Sequence, residues 1–204
     1  MSEAARQPRT LATVIGVIDY RAGNAPSVGY ALDRIGIEHR LVATPKALVG
    51  CDRVILPGVG AARATLESLA ESGFVEPLSR VVLDDGLPFL GICIGLQVLF
   101  EHSSEGDTDC LGWIGGTVRR FDATDRVPQI GWNRVHLRAT HPVTEQFPDG
   151  GHCYFVNSYY AAPADPADVL GETSYGVDFC SIVARRNIVA TQFHAEKSGE
   201  LGPS

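Results

Sequence analysis

The chain has 204 residues, of which 45% are hydrophobic and 20% are charged, and its formal net charge is −7. This length and composition exclude a mini-protein and a disordered chain, and they predict one folded domain with a substantial core. Its 24 Asp and Glu residues outnumber its 17 Lys and Arg residues, and no basic stripe could neutralise the phosphates of a nucleic acid. Nucleic-acid binding is therefore not expected.

The sequence predicts neither a membrane span nor a secreted protein. The most apolar run, residues 87–100, contains Pro88 and Gln97 and is shorter than the roughly 20 residues that cross a bilayer. Residues 1–12 lack the apolar core of a signal peptide and are predicted to form a flexible tail before one domain over residues 13–204. The five cysteines are scattered, which predicts no disulfide framework and no metal site. We expect a cytoplasmic protein.

The first half of the chain alternates predicted strands with predicted helices. The strands cover residues 13–19, 38–42, 53–56 and 88–92. The helices cover residues 25–35, 61–71 and 75–84, and a short helix follows Gly95. The first of these strands is almost continuously apolar, as strands are when both faces of a parallel sheet are buried.

The second half is richer in β-branched residues and turns. Its predicted strands cover residues 117–121, 133–137, 152–159, 169–173, 179–185 and 188–192. Arg186 and Asn187 form a predicted hairpin turn between the last two strands. Alternation followed by hairpins predicts a single α/β domain with a mixed, mostly parallel central sheet flanked by helices.

One pentapeptide indicates a nucleophile. Cys93 lies at the centre of the segment Gly91–Gly95, where a buried strand meets a helix, and this spacing is typical of a nucleophile elbow. The turn strains the backbone, and glycines on both sides let the strand and the helix approach closely enough to present the side chain. The alternative is a structural cysteine buried between packing glycines.

A histidine and a carboxylate lie two residues apart near the end of the chain. His194 and Glu196 follow a predicted strand, and we expect them on the same side of an extended segment. A histidine can take the thiol proton and return it to a leaving amine, while the carboxylate holds the far ring nitrogen. Alone, the pair could be exposed residues at a strand end. Together with the elbow, it predicts a triad with Cys93.

A glycine-containing loop, residues 57–60, lies between a predicted strand and a predicted helix. Gly60 could present a backbone N–H group to a developing oxyanion, with the Ile94 N–H group as the second donor. The alternative is an ordinary strand-to-helix turn. No Walker-type or GxGxxG phosphate loop is present, which argues against a nucleotide enzyme.

These motifs together carry a resemblance to a known family. From about Val14 to Gly199, the sequence resembles the class I glutamine amidotransferases, and more narrowly the glutaminase subunits of imidazole glycerol phosphate synthase. The matching segments are the elbow Gly91–Gly95 with Gln97, the loop Pro57–Gly60, Gln129–Asn133, Tyr154–Tyr159 and Gln192–Gly199.

The resemblance implies a role for each matching residue. Cys93 would attack the side-chain amide of glutamine, His194 would act as acid and base, and Glu196 would orient the histidine. Gly60 and Ile94 would form the oxyanion hole. Substrate-binding residues would be Gln97, Glu105, Ser158 and Tyr159. The sequence departs from the family pattern at Ala195, where a proline is usual, and at Asn157, where a histidine is often found.

The resemblance also implies a partner and a pathway. Ammonia from glutamine would pass to a synthase (cyclase) subunit with a (β/α)₈ barrel, in a heterodimer that makes imidazole glycerol phosphate and an aminoimidazole carboxamide ribotide for histidine biosynthesis. The partner would lie against Asn24, Trp132, Asn133 and Lys197. No cofactor and no metal are implied, and the loop around Val59 is the expected switching element.

Three other functions remain open at this stage. The chain could be the glutaminase of another pathway, although the loop Pro57–Gly60 and the motifs around Trp132 and Lys197 disfavour this. It could be a catalytically silent regulatory module that keeps the fold. It could also be a thiol redox protein, in which Cys93 would form a sulfenic acid and Glu196 would not be needed.

Overall fold

The fold is built on one extended sheet in a computed structural model that describes residues 13–122 and 126–198. The strands are β1 (Ile15–Ile18), β2 (His39–Val42), β3 (Arg53–Gly58), β4 (Phe89–Cys93), β5 (His102–Ser103), β6 (Thr108–Asp109), β7 (Gly116–Arg120), β8 (Gln129–Leu137), β9 (Gly151–Asn157), β10 (Tyr159–Pro163), β11 (Val169–Tyr175), β12 (Val177–Arg185) and β13 (Ile188–Thr191). The α-helices are α1 (Ala25–Arg34), α2 (Ala62–Glu71), α3 (Val75–Ser79) and α4 (Ile94–Gln97). The predicted tail, residues 1–12, lies outside the described residues.

The centre of the sheet is parallel. Strands β2, β1, β3, β4 and β13 lie side by side in that order, and every neighbouring pair among them is parallel. Antiparallel strands β12, β10 and β7 continue the sheet beyond β13, while β11, β8 and β9 branch from β12. This confirms the predicted α/β class with a mixed sheet and a parallel centre.

Two hydrophobic clusters hold these layers together. The larger one fills the space between the parallel strands and the helices and includes Val17, Leu32 and Leu69. On α1, the buried residues Ala25, Val28, Gly29 and Leu32 form one helical face. The smaller cluster packs the antiparallel strands and includes Phe155 and Phe179, whose rings meet edge to face at a centroid distance of 6.0 Å.

The structure corrects three of the predicted elements. The strand predicted over residues 152–159 is two strands, because the chain breaks at Ser158, where the Asn157 side chain donates to the Tyr159 carbonyl at 3.0 Å. The strand predicted from Asn133 begins at Gln129. The helix predicted over residues 75–84 is α-helical only to Ser79 and then becomes a π-helical turn.

Asn187 ties this π-helical turn to the hairpin between β12 and β13. Its side-chain amide donates to the carbonyl oxygens of Val82 and Leu87, both at 2.8 Å. The chain between the turn and β4 is thus held by a side chain about a hundred residues later, a contact that periodicity cannot reveal.

The parallel strands end at a common edge, and their carboxyl ends place several loops next to one another. Cys93 is the last residue of β4, and the segments that follow β1, β3 and β13 contain Asn24, Gly60 and His194, respectively. Ligand sites in open α/β sheets lie at this edge. In the two described ranges, no helix is both long enough and apolar enough to cross a membrane.

We expect Asn187→Ala to lower the free energy of unfolding by about 1–3 kcal/mol, because two partly buried carbonyl groups lose their donor. Urea denaturation would measure the loss. The matched control is Arg186→Asn at the neighbouring exposed turn position, whose φ of 54° asparagine tolerates. Equal stability of Asn187→Ala and the control would contradict the structural role of this side chain.

Candidate active site

Cys93 occupies a strained position between β4 and α4. Its backbone has φ 55° and ψ −107°, a conformation that residues other than glycine rarely adopt. Its side chain is nearly buried, with 4% of the residue exposed. The strain and the location agree with the nucleophile elbow that the sequence predicts.

The two flanking glycines make this turn possible. A Cβ atom on Gly91 would lie 2.5 Å from the Gly95 carbonyl oxygen, and a Cβ atom on Gly95 would collide with the carbonyl oxygen of Leu56. Backbone atoms of neighbouring elements cannot yield as a flexible side chain can. The spacing of the glycines around Cys93 is therefore required by packing.

His194 and Glu196 form a buried pair. Nδ1 of His194 lies 2.8 Å from Oε1 of Glu196, and both side chains are at most 4% exposed. The sequence predicts the pair correctly but not the local backbone. The expectation of an extended segment is wrong, because Ala195–Lys197 form a 3₁₀ turn and the Lys197 N–H group donates to the His194 carbonyl. With Ala195 in place of the usual proline, Glu196 still reaches the ring.

Ser198 holds this turn in place, a role that no pattern in the sequence indicates. Its hydroxyl donates to the His194 carbonyl at 2.7 Å and accepts from the Tyr154 N–H group at 3.2 Å. The His194 N–H group in turn donates to the Tyr154 carbonyl at 3.0 Å. The backbone around His194 is thus fastened to β9 on both sides of the turn.

The electrostatics of the pair favour an imidazolium. Burial alone lowers the pKa of His194, but hydrogen bonds to the Cys93 and Glu196 side chains, together with their charges, raise it to about 9. Burial acts to raise the pKa of Glu196, yet the hydrogen bond and the charge of His194 bring it below its ordinary value. The pair is therefore ionised at neutral pH.

Three other cysteines lie in less reactive surroundings. Burial is the main cause that raises the pKa of Cys110 to about 11 and that of Cys153 to about 12, and it raises the pKa of Cys180 as well. These residues remain protonated thiols at neutral pH. Among the predicted site residues, Cys93 is the thiol that lies beside a histidine.

A cavity of about 320 Å³ opens beside Cys93. Its lining brings together most of the predicted site residues with several unpredicted ones: Val59, Gly60, Cys93, Ile94, Gln97, Glu105, Pro128, Val156, Asn157, Ser158, Tyr159, His194 and Lys197. A larger and more open groove along residues 137–149 contains none of the predicted site residues. The smaller cavity is the candidate active site.

A chain of amides links this cavity to the nucleophile. Nε2 of Gln97 donates to the Tyr159 carbonyl and to Oε1 of Gln192, both at 3.0 Å, and Nε2 of Gln192 lies 3.8 Å from the Cys93 sulfur. Sequence reasoning assigned no role to Gln192. Its amide is fully buried two residues before the histidine, and this burial is visible only in the structure.

The remaining substrate and oxyanion candidates surround the same space. Gly60 and Ile94 both line the cavity, and Gly60 has φ 92°. Oε2 of Glu105 accepts from the Ala62 N–H group at 2.9 Å. The Ser158 carbonyl accepts from the Phe121 N–H group at 3.1 Å, so this part of Ser158 is already used within the fold.

The four predicted interface residues do not all share one surface. Lys197 lines the cavity, and Asn24 begins α1, where its side chain accepts from the Ser27 hydroxyl at 2.6 Å. Trp132 is 39% exposed and meets the Tyr154 ring edge to face. The Asn133 side chain instead accepts from the buried Gln129 amide at 2.9 Å, because adjacent residues of a strand face opposite sides.

The sequence and the fold match known proteins. The family model for class-I glutamine amidotransferases matches residues 17–203. In fold, the chain is similar to a crystal structure of a glutamine amidotransferase (TM-score 0.72, 22% identity, 89% of this chain and 90% of that chain) and to PurLQS from Thermotoga maritima (TM-score 0.70, 19% identity, 93% and 91%). The chain belongs to the class-I glutamine amidotransferase family.

Curated relatives narrow this assignment. The chain is 46% identical to the imidazole glycerol phosphate synthase subunit HisH of Dehalococcoides mccartyi strain 195 over 93% of this chain and 92% of the relative. It is 47% identical to HisH of Herpetosiphon aurantiacus (93% and 90%) and 43% identical to HisH of Geobacter metallireducens (93% and 94%). Within the class-I family, it is a member of the HisH group.

We expect Gly95→Ala to lower the free energy of unfolding by about 3 kcal/mol or more, because the new methyl group would collide with the Leu56 backbone. Urea denaturation would measure the effect. Gly115→Ala is the matched control, since its Cβ atom would meet only the Ala164 side chain at an ordinary 3.7 Å. Similar losses in the two variants would refute the packing requirement at the elbow.

We expect the His194 ring to titrate near pH 9. Nitrogen-edited NMR of the imidazole would measure this titration. Glu196→Gln should move the midpoint to lower pH, because the carboxylate charge that favours the imidazolium is removed. Glu67→Gln, at an exposed position on α2, should leave the midpoint unchanged. A wild-type midpoint at or below the ordinary value of 6.5 would show that burial outweighs the two partners.

Proposed function

We propose that the chain hydrolyses the side-chain amide of glutamine through a Cys93–His194–Glu196 triad. One observation supports this above all: Nδ1 of His194 bonds Oε1 of Glu196 at 2.8 Å, and His194 lines the same cavity as Cys93, which the elbow holds at the cavity wall. A thiol, a base and an orienting carboxylate in this order are the machinery of nucleophilic acyl transfer.

The reaction proceeds in two balanced steps. The Cys93 sulfur, whose thiol proton His194 has taken, attacks the amide carbon, and the His194 imidazolium gives that proton to the departing nitrogen, so that ammonia leaves and a thioester forms. Water then attacks the thioester, His194 takes a proton from the water, and the sulfur departs to release glutamate. Glu196 keeps Nδ1 occupied throughout, so that Nε2 is the nitrogen that exchanges protons.

Two backbone N–H groups are proposed to stabilise the tetrahedral intermediate. Ile94 is the first residue of α4, where helix geometry leaves the N–H group without an intrahelical partner. Gly60 lies across the cavity on the loop after β3. Donors fixed before the reaction stabilise developing oxyanion charge without reorganisation.

The cavity wall suits the two ends of glutamine. Oε1 of Gln97 is buried and has no hydrogen-bond partner among residues 13–122 and 126–198, so a substrate N–H donor would satisfy it. The Glu105 carboxylate suits the α-ammonium group, and backbone donors at Ser158 and Tyr159 suit the α-carboxylate. We therefore propose that this cavity binds a small zwitterionic amino acid.

The relatives define the biological setting. As a member of the HisH family, the chain is a glutaminase subunit of imidazole glycerol phosphate synthase, which acts in histidine biosynthesis. We further propose that a synthase subunit with a (β/α)₈ barrel forms a heterodimer with this chain and uses its ammonia in a lyase reaction. The surface around Asn24, Trp132 and Lys197 faces that subunit, and Asn133 supports it from inside. The cytoplasmic location stays a prediction.

Glutamate release from glutamine tests the proposal. We expect release by the chain together with a cognate synthase and its nucleotide ligand, and a loss of at least about a thousandfold in Cys93→Ala, since the covalent step disappears. Cys110→Ala, outside the cavity, is the matched control and should keep full activity.

Other outcomes separate the alternative functions. No release from a folded wild-type complex would favour the silent regulatory module. Equal release by wild type and Cys93→Ala would exclude the triad. A peroxide-dependent sulfenic acid at Cys93 that needs no Glu196, without any glutamate release, would favour the redox protein.

A further inference from the structure

The first turn of α2 is fastened to the turn between β5 and β6. Oε2 of Glu105 accepts from the Ala62 N–H group at 2.9 Å. The guanidinium group of the next residue, Arg63, donates to the carbonyl oxygens of Gly106 and Asp107. Two consecutive residues of the helix thus hold three consecutive residues of the turn.

The turn between β5 and β6 is itself held in place by hydrogen bonds. The Glu105 N–H group donates to the hydroxyl of fully buried Ser103 at 3.2 Å, and the Thr108 hydroxyl donates to the Glu105 carbonyl at 2.8 Å. Gly106 and Asp107 have φ values of 65° and 51°, a left-handed pair at the tip of the turn, whose carbonyl groups Arg63 binds. The backbone N–H and carbonyl groups of Glu105 are therefore both hydrogen-bonded within the turn.

The loop that carries the proposed oxyanion donor has little packing of its own. Val59 is 38% exposed, and a Cβ atom on Gly60 would meet nothing within 4 Å. Its two ends are fixed instead. Gly58 packs so tightly that a Cβ atom there would lie 2.9 Å from the Gly95 nitrogen, and Ala62 is fully buried. The path of the loop is decided by where these ends are held.

We infer that Arg63 is a positioning residue for the oxyanion hole, acting by holding the first turn of α2 against the β5–β6 turn so that the Gly60 N–H group faces the cavity. The hydrogen bonds of Arg63 and Glu105 between α2 and this turn together form a clamp. Glu105 makes its bond from inside the cavity, where the glutamine ammonium is proposed to bind. The inference rests on the proposed function and deepens it: the residue that recognises the substrate and the loop that stabilises the oxyanion share one anchor.

Arg63→Ala in the chain assembled with its synthase tests the inference. We expect kcat for glutamine hydrolysis to fall about tenfold, with KM changed less than about threefold, because the clamp serves the transition state more than substrate binding. Alkylation of Cys93 by iodoacetamide should keep its wild-type rate, since displacement of iodide builds no oxyanion. Arg63→Lys should recover part of kcat, because one ammonium can still donate to these carbonyl groups.

Controls separate this inference from the proposed function. Arg63 is exposed, and urea denaturation would verify that its variants fold. Arg80→Ala, at an exposed position outside the cavity, should behave as wild type. Wild-type activity that vanishes in Cys93→Ala establishes the proposed function in the same assay. With that established, an unchanged kcat in Arg63→Ala, a change in KM alone, or a parallel loss of alkylation rate would each overturn the clamp.

Discussion

The close approach of three backbone segments around Cys93 is the constraint on which the site depends. β4 enters the turn, α4 leaves it, and the Leu56 carbonyl of β3 closes it from the side, so Gly91 and Gly95 have no room for a side chain. This packing holds Cys93 at positive φ, a conformation that it would not adopt in a relaxed loop. The parallel sheet supplies the rigidity that keeps the strain in place.

The proposed chemistry then depends on a second buried contact, the ion pair between His194 and Glu196. Burial disfavours both charges, and the interactions that outweigh it include the hydrogen bond and the charge that each group presents to the other. The tether from Ser198 to Tyr154 explains why the pair stays aligned although Ala195 replaces a more restrictive proline. Orientation is supplied by the β9 strand rather than by the peptide between the two residues.

Mobility and rigidity are distributed unevenly around the cavity. The elbow and the 3₁₀ turn after His194 are fixed by backbone contacts, whereas the Gly60 loop is held mainly at its ends. An element of this kind can occupy more than one conformation at small energetic cost, and a partner that binds one of them better would shift the population. The exposed Val59 and Trp132 lie where such a partner could make differential contacts.

The sequence by itself determined the fold class, the parallel centre of the sheet and the elbow, because apolar periodicity and glycine spacing are local signals of packing. It also identified His194 and Glu196, since two polar residues at a strand end are visible without coordinates. Only the tertiary structure decided the 3₁₀ turn that joins them, the break at Ser158 and the roles of Gln192, Ser198 and Arg63. The roles of Gln192, Ser198 and Arg63 each depend on a hydrogen bond to a residue distant in sequence, and such a bond leaves no periodic pattern in the chain because folding alone brings its partners together.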